Sequence, residues 1–160
     1  MIEKKTKGRK QKWGVGAIFS VTQPDRLFCL GQIVDLMSPN VPSCVFYDIR
    51  FPVGTMPTEI ALPNEKIIAA ISTTREQLDR GVWKVLAHQA PALERQHWPY
   101  EHLREAGWVG AVTHGAGIVT RFLEAFYGLA PWDYYLDPHY FDKLLFSKSK
   151  KPKDLIFKKN

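Results

Sequence analysis

The first half of the chain alternates short apolar runs with turn-forming residues. Runs at 16–22, 27–36, 43–51, 59–62 and 66–72 are rich in Val, Ile, Phe and Tyr, and each is closed by Pro, Gly, Asn, Asp or Ser. This spacing predicts short strands in a small, strongly twisted antiparallel barrel or sandwich. Gln23-Pro24-Asp25-Arg26 is a tight turn in which Pro24 presets φ and Asp25 bonds its own backbone, so the first two strands form a hairpin. Gly14, Gly16 and Gly31 lie in or beside strands, where they mark bulges or close backbone approach; their spacing makes no phosphate fingerprint. Segment 81–89 is open to one more strand, and 91–108 mixes helix formers with Pro91 and Pro99 and predicts no single element.

The period changes after Gly117. Val119, Phe122, Leu123 and Phe126 recur at i, i+3, i+4 and i+7, and Gly128 follows as a stop, which predicts an amphipathic helix over 118–127. An aromatic, turn-rich stretch begins at Pro131, and a short helix over 139–146 is expected, with Asp137 as its N-cap and Pro138 at its first position. The expected fold class is therefore α+β: the small barrel or sandwich followed by a C-terminal helical segment packed on it.

Charge changes the picture only at the ends. The 160 residues carry a net +6, but residues 1–12 hold six basic side chains against one acid, and residues 147–160 hold six lysines against one acid. The intervening body, with ten basic and fourteen acidic side chains, is mildly negative. The expected organisation is a basic tail over 1–12, one domain over 13–146 (mainly β to residue 90, mainly helix and turn from 91), and a basic tail over 147–160. Solvated tails are the expectation, and an acidic body argues against specific nucleic-acid binding. No apolar run approaches the length of a membrane span, and Met1-Ile2-Glu3-Lys4-Lys5 leads into charge, so the expected location is the cytoplasm with no membrane partner. The length is too short for a (β/α)₈ barrel.

Chemistry-bearing residues are sparse. His88, His97, His102, His114 and His139 form no zinc motif, and Cys29 and Cys44 lie in apolar runs without CxxC spacing, where burial would raise a thiol pKa rather than activate it. Thr113-His114-Gly115-Ala116-Gly117 opens the helix and reads as a tight turn; no Lys-Ser/Thr follows to make a phosphate loop. No catalytic, cofactor or metal residue is assigned, and no small-molecule substrate is expected. Asp133, Asp137 and Asp142 surround Trp132, Tyr134, Tyr135, Tyr140 and Phe141. Such a cluster has two readings: a protein-binding anchor, with Tyr134, Tyr135 and Asp137 as the partner-binding candidates, or aromatic core pinned by capping aspartates.

Two blocks carry a family resemblance. Residues 12–19, including Trp13 and Gly16, with Phe28 and 31–34, look like the opening of the immunity protein 26 family of bacterial polymorphic toxin systems. Residues 122–133 (through Gly128, Pro131, Trp132 and Asp133) and 137–145 (Asp137, Pro138 and Asp142) resemble that family's ending. The resemblance implies a non-enzymatic cytoplasmic protein that binds and neutralises a cognate toxin. Because members of such a family meet different toxins, the shared residues would serve the fold, and loops 52–57 or 89–98 would supply contacts. The family label has also been attached to a small phosphotriesterase, so a hydrolase is the alternative implied; a small-barrel nucleic-acid binder is the third reading.

Overall fold

The computed structural model describes residues 10–38 and 40–158. Six strands, β1 (Ala17–Thr22), β2 (Leu27–Met37), β3 (Val41–Pro52), β4 (Ile67–Thr73), β5 (Lys84–His88) and β6 (Thr113–His114), form one sheet in the order β5-β1-β2-β3-β4-β6. The fold class is α+β. The expected barrel does not close: β5 and β6 stand at opposite ends of an open sheet, and the two-residue β6 runs parallel to β4, so the sheet is mixed rather than purely antiparallel. Among the described residues two α-helices accompany it, α1 (Glu76–Asp79) and α2 (Ala116–Phe126). Among the described residues no helix is long and apolar enough to cross a membrane.

The hairpin between β1 and β2 forms as its turn chemistry dictates. The backbone N–H of Arg26 donates to the Gln23 carbonyl at 3.0 Å, and the Asp25 carboxylate accepts from the Leu27 N–H at 3.3 Å. Both faces of the sheet are buried. Phe19, Cys29, Ile33, Cys44, Phe46 and Ile71 face α2, while Ile18, Leu30, Val34, Val45, Tyr47 and Ile67 face a second core beneath Leu62 and Leu93. Two buried faces make the strands read as nearly continuous apolar runs. Close approach explains Gly31: a Cβ there would sit 2.5 Å from the Phe19 ring, which in turn stacks on Trp83 at 5.3 Å. Gly16 combines φ of +97° with the Gln89 carbonyl 2.7 Å from where its Cβ would lie.

Helix α2 begins two residues earlier than its apolar period suggests. Gly115 offers no capping side chain, and Thr74 supplies one from the neighbouring chain segment, its hydroxyl accepting the Ala116 N–H at 2.8 Å. Gly117 is thus inside the helix rather than ahead of it. At the other end Gly128 adopts φ of +74°; its N–H donates to Ala125 at 3.0 Å and the Leu129 N–H to Glu124 at 2.9 Å, the two bonds of a Schellman stop.

Two further expectations are corrected, and one open segment is resolved. Residues 59–62 form no strand, since they only carry the chain across the sheet to bury Leu62. The helix expected over 139–146 is a single 3₁₀ turn, Phe141–Leu144, because Phe141 and Leu144 already reach the core from it. The ambiguous 91–108 stretch resolves into two 3₁₀ segments, Arg95–His97 and Glu101–Ala106. The second is docked on β2 by Arg104, which pairs with Asp35 and Glu101.

The tails are also not simple solvated ends. Residues 1–9 and 159–160 lie outside the described residues, but Gln11 is stitched to the body. Its side-chain amide donates to the carbonyls of Leu78 and Trp83 (2.8 and 2.9 Å) and accepts from the Val85 N–H (2.9 Å), and its own N–H donates to Asp79 (2.8 Å). At the other terminus the chain returns along the body: Pro131 and Ile156 form a parallel bridge, and Leu155 packs on the core.

Candidate partner-binding surface

The C-terminal aromatic stretch is organised by Trp132. Pro131 follows the Gly128 stop and turns the chain inward, so that the indole is 1% exposed, with ring centroids 5.7 Å from Phe122 and 5.5 Å from Phe141. Its backbone N–H donates to the Ile156 carbonyl at 2.7 Å, and its indole N–H donates to Asp142 at 2.9 Å. Asp142 also accepts from Lys151 at 2.9 Å and lies 3.1 Å from His139 Nδ1. Partial burial acts to raise the Asp142 pKa, but these hydrogen bonds outweigh it and hold the carboxyl below its ordinary range.

Trp13, Asp133 and Asp137 also make hydrogen bonds within the chain. Trp13 donates its indole N–H to Asp79 at 2.9 Å and lies against the Arg75 guanidinium, fixing the entry of the chain. Asp133 accepts the Lys158 N–H at 2.7 Å. Asp137 accepts the His139 N–H at 2.9 Å in a local turn around Pro138 and pairs with Lys143 at 2.8 Å; it is not the N-cap expected, because the 3₁₀ turn starts only at Phe141, after Tyr140, with no side-chain cap. All three aspartates are therefore engaged by groups within the chain.

The partner-binding candidates divide. Tyr134 is 37% exposed and held between Arg121, 4.8 Å from its ring, and Lys158 at 5.9 Å. Tyr135 is half-buried in a chain of edge-to-face contacts with Tyr134, Tyr140 and Phe141 at 4.7, 5.7 and 5.5 Å. Leu136, which sequence reasoning passed over, stands between them and Asp137 fully in solvent, at 101% relative exposure. With Ile118, Tyr135, Asp137 and Tyr140 it rims a shallow cavity of about 370 Å³. Nothing in the local pattern distinguishes Leu136 from the buried leucines nearby; Tyr135 before it packs inward and Asp137 after it bonds the His139 N–H, leaving Leu136 on the outside of the turn.

The two loops proposed for contacts differ. In 52–57, Val53 and Met56 are exposed and share a cavity of about 370 Å³ with Phe28, Val82 and Leu86. Loop 89–98 is drawn down instead. Buried Gln32 donates to the Gln89 and Ala90 carbonyls and accepts the Ala92 N–H, Trp98 donates to the Leu93 carbonyl, and Leu93 is buried.

Cys29 and Cys44 are free and buried, and burial pushes the Cys29 thiol up to about 12 and Cys44 higher still. Among the described residues no group of three or more His, Cys, Asp or Glu side chains is placed to hold a metal ion. Comparison with protein-family models, curated proteins and solved structures finds no match to this chain.

Proposed function

We propose that this protein is a cytoplasmic immunity protein that binds and neutralises a cognate bacterial toxin, without catalysis or cofactor of its own. The reading rests on the resemblance of the 12–34 and 122–145 blocks to the immunity protein 26 family, and one structural observation supports it above others. Leu136 projects wholly into water from a turn braced by Trp132, Tyr135 and Asp137. A leucine held out by a rigid aromatic base, beside a shallow apolar cavity, is an anchor whose ordering entropy is already spent before binding.

The test is co-purification with the protein encoded by the neighbouring gene, coupled to rescue of growth when that protein is expressed. Leu136→Asp should leave the melting temperature unchanged, because the side chain makes no buried contact. It should weaken toxin binding by about 2 kcal/mol or more, the loss typical of an interface anchor. Full rescue by Leu136→Asp at wild-type affinity would remove this surface from the interface, and failure of the wild-type protein to rescue would remove the function itself.

A further inference from the structure

Four of the five histidines and three lysines line two cavities that meet. The larger, about 460 Å³, is bounded by His139, Lys143, Lys148 and Lys151 with Asp142 and Leu145. The smaller, about 290 Å³, is bounded by His97, His102, His114, Tyr100 and Phe146, and it shares Lys143 and Leu145 with the first. Among the described residues Asp142 is the only carboxylate lining either one. The volumes fall in the range of small-ligand sites, and the two ends differ in chemistry.

The first end is cationic. Lys143 and Lys151 each give one N–H to an aspartate, Asp137 and Asp142 respectively, and an ammonium has three, so each retains two donors. Among the described residues Lys148 has no ion pair or hydrogen bond to another side chain and retains all of its donors. The second end is a cluster of flat rings. His114 is fixed by a 2.8 Å hydrogen bond between its Nδ1 and the Tyr140 hydroxyl, Tyr100 is held in a left-handed conformation (φ of +57°) against His102, and Phe146 is 40% exposed. Burial pushes the His114 imidazole below its ordinary pKa, so at neutral pH it offers a neutral hydrogen-bonding edge.

We propose that these joined cavities bind a nucleotide, with the phosphates among Lys143, Lys148 and Lys151 and the base against the rings of His97, His102, His114, Tyr100 and Phe146. Ammonium groups meet phosphoryl oxygens with charge-assisted hydrogen bonds. Flat, polarisable rings suit the face of a base, and their nitrogens suit its edge. Lys143, at the junction, lies where the two parts of the ligand join. The assignment does not depend on toxin binding, and its lining residues do not include Leu136.

Calorimetric titration of the full chain tests it, with ATP, tripolyphosphate, adenosine and a twelve-nucleotide single strand as probes. ATP is expected to bind saturably and more tightly than either tripolyphosphate or adenosine. Lys148→Glu should weaken ATP and tripolyphosphate by about tenfold or more, the value of one charge-assisted bond, and leave adenosine unaffected. His97→Ala with His102→Ala should weaken ATP and adenosine and spare tripolyphosphate. All of these residues are exposed, so unchanged melting temperatures should accompany the losses. Absence of saturable ATP binding, equal affinity for ATP and tripolyphosphate, tighter binding of the oligonucleotide than of ATP, or ATP binding insensitive to Lys148→Glu would each overturn the proposal.

Discussion

Replacing Trp132 by alanine separates a packing role from an interface role. The indole is buried between Phe122 and Phe141, and truncating a buried aromatic of this size costs about 3–5 kcal/mol. The lost N–H also deprives Asp142 of a donor, but that carboxylate is partly exposed and keeps Lys151, so water makes up the difference and little is added. A loss of about 4 kcal/mol is a large share of the 5–15 typical of a domain. Trp132→Phe keeps part of the ring packing and should cost about 1–2 kcal/mol, chiefly the volume left unfilled by the smaller ring. Urea unfolding followed by far-ultraviolet circular dichroism measures both, with the midpoint falling in the order wild type, Phe, Ala. An unchanged midpoint in Trp132→Ala would refute the assignment of this residue to the core.

Removing residues 148–160 should cost about 2–3 kcal/mol, because the Trp132–Ile156 and Asp133–Lys158 bonds and the Leu155 contact go with them; a melting scan of the truncated chain checks it. Tyr47 is wholly buried and its hydroxyl has no partner among the described residues, while burial pushes its pKa up to about 12. Tyr47→Phe should therefore leave stability unchanged or raise it by up to about 1 kcal/mol in chemical denaturation. Arg104, aided by Arg95, holds the Glu101 pKa down to about 2. A carboxylate depressed on folding stabilises the folded state above its ordinary range and loses that contribution as the pH falls towards 2, so Glu101→Gln should flatten the acid limb of a stability–pH curve between about 4.5 and 2.

What could be read from the chain followed physical locality. The hairpin at 23–26, the α2 period and the Gly128 stop depend on neighbours within a few residues, and the strands at 16–22, 27–36, 43–51 and 66–72 sit where their apolar runs placed them. Barrel closure is a property of strand order at the sheet ends, set by how β5 and β6 find distant partners, and no local pattern encodes it. The same holds for Gln32 and Gln11. Neither a glutamine in an apolar run, like Gln32, nor one between two lysines, like Gln11, carries a mark that its amide will hold a loop 57 to 60 residues away or the start of a strand 72 to 74 residues on. The packing of Trp132 was one of two readings until the Phe122, Phe141 and Ile156 contacts placed it, and the exposure of Leu136 depends on turns on both sides of it.

The Gln11 amide has one more consequence. By taking the Trp83 carbonyl and the Val85 N–H, it occupies the hydrogen-bonding groups that a strand of another molecule would need in order to add itself beside β5 at the end of the sheet. A single side chain thus acts as a plug against edge-to-edge association, the route by which open sheets polymerise. It sits between Lys10 and Lys12, so a trypsin-like protease cutting after Lys12 would release it and leave an adhesive edge. Cover of this end of the sheet thus comes from a few residues in the basic N-terminal segment.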